Sequence, residues 1–204
     1  MEGGLHDAFV DELKDAYDAE KQLIKALPKL ATASSAEPLR TAFLEHLEET
    51  RGHVVRLEQV FASLEEKVGG KHCDGIAGII EEGKAVMQED FDAATMDACL
   101  IAAAQRSEHY EMAAYGTLVA WANAMGHSEA ARLLQSILDE EKAADEKLNR
   151  IAEGGVNREA AAAARDTDDE GEDARPAAAR KRASARGASK RSSSGSKKKS
   201  TRKR

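Results

Sequence analysis

The sequence predicts an all-α protein: a four-helix bundle with a short extra helix in its longest connection, then a basic tail with no core of its own. Three observations predict it. Aromatic residues are 4% of the 204-residue chain and three prolines occur, while Ala, Glu, Lys and Leu dominate, a composition that favours helix over strand. Four long segments repeat apolar residues at the spacing of one helix face. Beyond Gly154 that periodicity stops, and residues 174–204 hold no large apolar side chain.

The first helix is read over residues 5–31, with Phe9, Leu13, Ala16, Tyr17, Leu23, Ile24, Leu27 and Leu30 on one stripe. Pro28 is expected to end or kink it, because proline lacks an N–H and clashes with the preceding turn. Ser34, Ser35 and Pro38 form a turn and a helix start. The second helix is read over 37–67, on Phe43, Leu47, Thr50, Val54, Leu57 and Phe61, with Gly69-Gly70 as its stop. Residues 74–90 read as a short helix that three glycines weaken. The third long helix covers 93–124, on Ile101, Ala104, Glu108, Glu111, Tyr115, Leu118 and Ala122, and Gly126 ends it. Ser128 is the expected N-cap of the fourth, 128–153, whose stripe is Leu134, Ile137, Glu141, Ala144, Leu148 and Ile151. Short links make the first two and the last two long helices antiparallel neighbours. The long link between the pairs suits the crossover of a ferritin-like bundle.

Four carboxylates stand on these apolar stripes: Glu20, Glu108, Glu111 and Glu141. A single glutamate in a chain with 37 acidic residues normally faces solvent, but apolar neighbours before and after Glu20, Glu108 and Glu141 fix an inward face. An ionised carboxylate in a core costs more than a helix returns unless something compensates it. Four at similar depth repel one another. A polyvalent cation held between the helices resolves the conflict.

Metal centres of helical bundles draw carboxylates from several helices, with further ligands one turn along. Residues three or four apart share a helix face and reach one cluster. Here the candidates are Glu20, Glu49 with His53, Glu108 with Glu111, and Glu141 with Asp145. Glu49 lies toward the edge of its stripe. His53 and Asp145 each keep two roles open, ligand or support at the edge of the site. His46 and His109 read as polar neighbours, and Glu48 and Glu140 as solvent-facing. Glu20 and Glu108 are 88 positions apart and Glu49 and Glu141 are 92 apart, consistent with two equivalent helix pairs. Oxygen donors suit iron and manganese, and imidazole adds affinity for iron.

The stretches DAYDAEKQLIKALPKLA, FLEHLEETRGHVVRLEQVF, LIAAAQRSEHYEMAAYGTL and LDEEKAADEKL span most of residues 5–153. They resemble the YciE/YciF family of bacterial stress proteins, above all in SEHYEMAAYGTL. The resemblance implies a ferritin-like bundle with a dinuclear metal centre, iron in kind, often in a dimer. It also implies that Glu20, Glu49, Glu108, Glu111 and Glu141 occupy the acidic positions of that centre. Two iron ions, or manganese in their place, acting on Fe(II), O2 or peroxide, follow as the expected cofactor and chemistry.

The net charge of −7 hides two opposite parts. Residues 174–204 carry 13 Lys and Arg and no acid, leaving 17 bases against all 37 acids before them, a net of −20. The domain reading is therefore a bundle over 1–153 and a disordered tail over 154–204, acidic at 166–173 and basic at 174–204. Such a tail suits non-specific, salt-sensitive contact with DNA phosphates, the second functional reading, or contact with its own acidic body. No apolar run reaches the roughly 20 residues of a membrane span. No basic region leads into an apolar one at the N-terminus, and Cys73 and Cys99 make no metal-ligand pair by spacing. The expected location is the cytoplasm.

Overall fold

The computed structural model describes residues 3–163 and 165. Helix α1 spans Leu5–Ala33, α2 Glu37–Ser63, α3 Asp74–Val86, α4 Ala93–Ala124 and α5 Ser128–Ile151. The helix α1 runs through Pro28 rather than ending there. Leu27 and Ala31, both buried, hold its last turn against the core across the proline. That burial offsets a penalty of about 3 kcal/mol for proline inside a helix.

The α1–α2 turn is pinned from outside. Asp97 of α4, buried, accepts hydrogen bonds from the backbone N–H groups of Ser35 and Ala36, both at 2.8 Å. Its charge also faces the N-terminus of α2, where Pro38 occupies the first turn. Helix α2 stops at Ser63, short of the expected residue 67, and no glycine stops it. Glu65 adopts the left-handed conformation (φ 57°), Glu66 N–H donates to Phe61 C=O at 2.9 Å and Glu65 N–H to Ala62 C=O at 3.2 Å. These are the paired bonds of a Schellman C-cap with glutamate in the usual glycine position.

Helix α3 is capped by Cys73, whose Sγ accepts from Ile76 N–H at 3.5 Å. Asp92 caps α4 by accepting from Ala94 and Thr95 N–H, both at 3.0 Å. Gly126 closes α4 with φ 80°. His127, not Ser128, is the N-cap of α5, and its side chain makes no capping bond.

Among the described residues two apolar clusters fill the interior. The first joins Phe9, Leu13 and Tyr17 of α1 to Leu57 and Phe61 of α2, Tyr115 and Leu118 of α4, and Leu134 and Ile137 of α5. The second joins Leu23 and Leu27 of α1 to Phe43 and Leu47 of α2, Leu100 and Ala104 of α4, and Leu148 of α5. Helices α1 and α5 run from the first cluster toward the second; α2 and α4 run the other way. The connection from α2 to α4 must therefore travel the length of the bundle, and α3 packs against α1 and α4 within it. On every long helix a polar layer separates the two clusters.

The bundle also continues past the expected boundary at 153. The chain kinks at Gly155, whose backbone (φ 174°, ψ −40°) is not helical, and resumes as helix through residue 163; Ala152 and Val156, on either side of the kink, are buried in the second cluster. Those two apolar contacts anchor a segment whose lost periodicity reads as coil. The acidic run 166–173 and the basic run 174–204 lie outside the described residues. Among the described residues no helix is long and apolar enough to cross a membrane.

Candidate metal centre

The polar layer holds Glu20 from α1, His46 and His53 from α2, Glu108 and Glu111 from α4, and Glu141 from α5, all buried. They form two overlapping groups: Glu20, His53 and Glu141, and His46, Glu108, Glu111 and Glu141. Within each group the donor atoms lie within 4.8 Å of one another. Glu141 belongs to both.

His53 Nδ1 lies 2.9 Å from Glu141 Oε1 and 3.3 Å from Glu20 Oε1, without the alignment of a hydrogen bond. Its Nε2 is bonded to Glu140 Oε2 at 2.9 Å. Glu140 is in turn held by Arg56, through Nη1 to Oε1 at 2.9 Å and through Nη2 to Oε2. An ionised carboxylate only accepts, so Nε2 carries the proton and Nδ1 faces the site. His46 repeats the arrangement in mirror order. Its Nδ1 lies 3.3 Å from Glu49 Oε2, and its Nε2 lies 3.5 Å from Glu108 Oε1 and 3.7 Å from Glu141 Oε2. Each imidazole is thus tethered on its outer nitrogen and offers its inner one, the arrangement that orients metal-ligating histidines. Tyr115 O–H donates to Glu20 Oε1 from full burial.

The electrostatics are strained. Burial raises Glu108 and Glu111 well above the usual carboxylate range; His46 pulls Glu108 back in part, while Glu141, Glu20 and Glu108 push Glu111 further up. Glu20 is also raised by burial, against the nearby His53. Burial works against Glu141 too, but His53 and His46 overcome it and lower its pKa. Burial opposes charge on the imidazoles, yet the surrounding carboxylates push His46 up to about 9 and His53 up to about 11.

The other predicted candidates sit outside the two groups. Glu49 is more than a third exposed, on the outer side of His46. Asp145 turns away, accepting from Gln105 Nε2 at 3.1 Å and from Asn149 Nδ2 at 3.3 Å, with His109 Nε2 3.4 Å off. Conversely, His46 enters the cluster and Glu140 tethers His53, whereas the sequence reading made one a polar neighbour and the other solvent-facing. The signal for His46 was its spacing: seven residues before His53, it shares that helix face.

Among the described residues seven buried side-chain atoms have no hydrogen-bond partner: Glu20 Oε2, His53 Nδ1, Glu108 Oε2, and both carboxylate oxygens of Glu111 and of Glu141. Buried polar atoms are almost always satisfied, so orphans converging from four helices need a partner. These are oxygen and imidazole donors, and they fit a hard or borderline cation. Fold and site together define a ferritin-like helical bundle with a buried carboxylate–histidine layer that could hold metal.

The chain belongs to the DUF892 family, a domain of unknown function, which it matches over residues 4–161. It is 46% identical to Protein YciF of Escherichia coli K12 over 157 residues, covering 76% of this chain and 95% of that protein. The crystal structure of the E. coli stress protein YciF matches with a TM-score of 0.74 over 76% of this chain and 99% of that one. YcfI from Rhodopseudomonas palustris matches with a TM-score of 0.71 at 43% identity, over 72% of this chain and 94% of that one.

Proposed function

We propose that this protein is a dinuclear iron protein of the bacterial stress response, one that oxidises Fe(II) or consumes O2 or peroxide. The observation that carries the reading is the set of seven unpartnered donor atoms inside a bundle otherwise packed with apolar side chains. One ion would be held by Glu20, His53 and Glu141, the other by His46, Glu108, Glu111 and Glu141, with Glu141 common to both. Manganese suits the same donors. Bound there, such ions supply one-electron redox chemistry and a Lewis-acidic position for an oxidant.

The chain's own contribution is orientation and dryness. Glu140 with Arg56, and Glu49, fix the two imidazoles. The two apolar clusters exclude water from either side of the layer. Tyr115 holds Glu20 by its hydroxyl. The link to stress rests on the likeness to the E. coli stress protein YciF.

The test is Fe(II) oxidation by O2 and by peroxide, with the Glu20→Ala/Glu141→Ala double variant as control. Wild-type protein should oxidise Fe(II) well above the protein-free rate, and the variant should not. A wild type that binds iron but consumes neither oxidant would refute the redox role while leaving the metal site standing.

A second reading rests on the charge split: 13 bases and no acid in residues 174–204 suit binding to DNA phosphates. Removal of those residues should abolish salt-sensitive DNA retardation. Equal retardation by the shortened chain would remove the tail from the account.

A further inference from the structure

A cleft of about 400 Å³ lies between α1, α3 and α4, and none of the metal-site residues lines it. It sits beyond the site along two helices: Leu23 is three residues past Glu20 on α1, and Ser107 is four before Glu111 on α4. The volume falls within the range of sites that hold small organic molecules, about 300 to 1,000 Å³.

The walls are apolar. Leu23 and Leu30 of α1 face Ile79 and Ile80 of α3 and Met87 just after it. Except for Leu23, these side chains are only half-buried, so the protein leaves apolar surface open toward the cleft. Gly83 and Ala103, both small, also line it, and a Cβ added at Gly83 would come within 3.8 Å of the Ala103 Cβ.

The rim is basic. Lys25 and Lys29, one turn apart on α1, and Lys84 on α3 all line the cleft. Neither Lys25 nor Lys29 makes an ion pair among the described residues; Lys84 has only the exposed Glu81, at 2.9 Å. The lining carboxylate is otherwise engaged: Asp18 accepts from Gln22 Nε2 at 2.7 Å and from Cys73 N–H at 3.0 Å. Three lysines around one apolar opening stand out on a body whose first 173 residues carry a net charge of −20. Lysine is a point charge on a long flexible stem, suited to a carboxylate or phosphate at the edge of water.

We propose that this cleft binds an amphipathic anion, its chain between α1 and α3 and its carboxylate or phosphate head on Lys25, Lys29 and Lys84. The test titrates dodecanoate, dodecyl phosphate and dodecanol into the full chain by calorimetry, with and without metal. Both anions, or one of them, should bind more tightly than the alcohol whether or not metal is present; the tighter anion identifies the head group. The Lys25→Ala/Lys29→Ala/Lys84→Ala variant should lose about tenfold or more in affinity for the anion and nothing for dodecanol. Ala26→Trp, which fills the cleft from its half-exposed wall, should abolish binding in a chain whose helical circular dichroism is unchanged. Three results would overturn the proposal: dodecanol binding as tightly as both anions, anion binding that requires metal, or full binding by a folded Ala26→Trp variant.

Discussion

His53 and Glu140 meet at 2.9 Å across the α2–α5 interface, and Arg56 grips the same carboxylate from one turn along α2. The imidazole is therefore fixed from outside, with its Nδ1 turned toward Glu20 and Glu141. The same logic recurs at His46 and Glu49. Two half-exposed acids that do not enter the cluster thereby determine how two buried histidines address it.

Glu140→Ala should leave the bundle folded and weaken metal binding by about 10- to 100-fold, the usual cost of losing the partner that orients a ligating histidine. Arg56→Ala should act in the same direction and less strongly, because Glu140 would remain beside His53. Competitive metal titration against a chelator of known affinity measures both. Wild-type affinity in Glu140→Ala would mean that the tether has no bearing on the site.

Glu111→Gln should exchange function for stability. In metal-free protein, both oxygens of Glu111 are buried without partners and ionisation is opposed by burial. The neutral amide carries no ionisation penalty and brings N–H donors to a cluster of carboxylates, so it should stabilise the metal-free chain at neutral pH by about 1–3 kcal/mol, the scale of a hydrogen bond to a charged group. It should also weaken metal binding. Chemical denaturation of chelated protein gives the first number; a destabilised metal-free variant would contradict the prediction.

The pH dependence of the metal-free chain follows from the same groups. Glu108 and Glu111 have raised folded pKa values, so their ionisation favours the unfolded chain and stability falls as pH rises above the ordinary carboxylate value. His46 and His53 are raised to about 9 and about 11, so their contribution is complete below about 6.5, the ordinary histidine value, and is lost as pH climbs through the folded values. Glu141, with a lowered pKa, acts only at the acid end, where its stabilisation is lost as pH falls. Metal-free protein should therefore melt highest near pH 5 and progressively lower toward pH 9. Metal competes with the same protons, so the melting-temperature gap between loaded and chelated protein should widen over that interval. Thermal melts at several pH values test both; a gap independent of pH would disconnect the cluster from metal.

Gly75→Ala should destabilise the α3–α4 contact, because a Cβ there would come within 2.6–2.8 Å of the Tyr110 ring and hydroxyl. Tyr110 is itself held, its hydroxyl donating to Asp15 at 3.2 Å with Cys73 Sγ 3.1 Å away. Overpacking of this kind costs about 1–3 kcal/mol. An unchanged denaturation midpoint would show that Tyr110 moves aside freely.

Most of the bundle was legible in the sequence because it rests on periodicity. Every residue read on the α4 stripe, from Ile101 to Ala122, is buried, and α4 spans the residues read for it. What misled were local rules overridden by tertiary contacts. Pro28 sits inside a helix that buried Leu27 and Ala31 keep intact, and α2, which stops at Ser63, is closed by a left-handed Glu65 instead of a glycine. The chain kinks at Gly155 and then returns to helix, with Val156 buried in the core. At the site, the inward glutamates could be read from their apolar neighbours. The roles of His46, Glu49 and Glu140 could not, since which nitrogen faces inward depends on side chains from another helix or the adjacent turn. Asp145 illustrates the converse: it stands one turn from Glu141, but Gln105 and Asn149 draw it off.

In the proposed function the buried layer would hold two metal ions with Glu141 common to both. Native mass spectrometry of the full chain after anaerobic Fe(II) loading tests it most directly. The wild type should carry two ions, Glu20→Ala one and Glu141→Ala none. A wild type that takes up no metal, or a Glu141→Ala variant that still holds two ions, would contradict it.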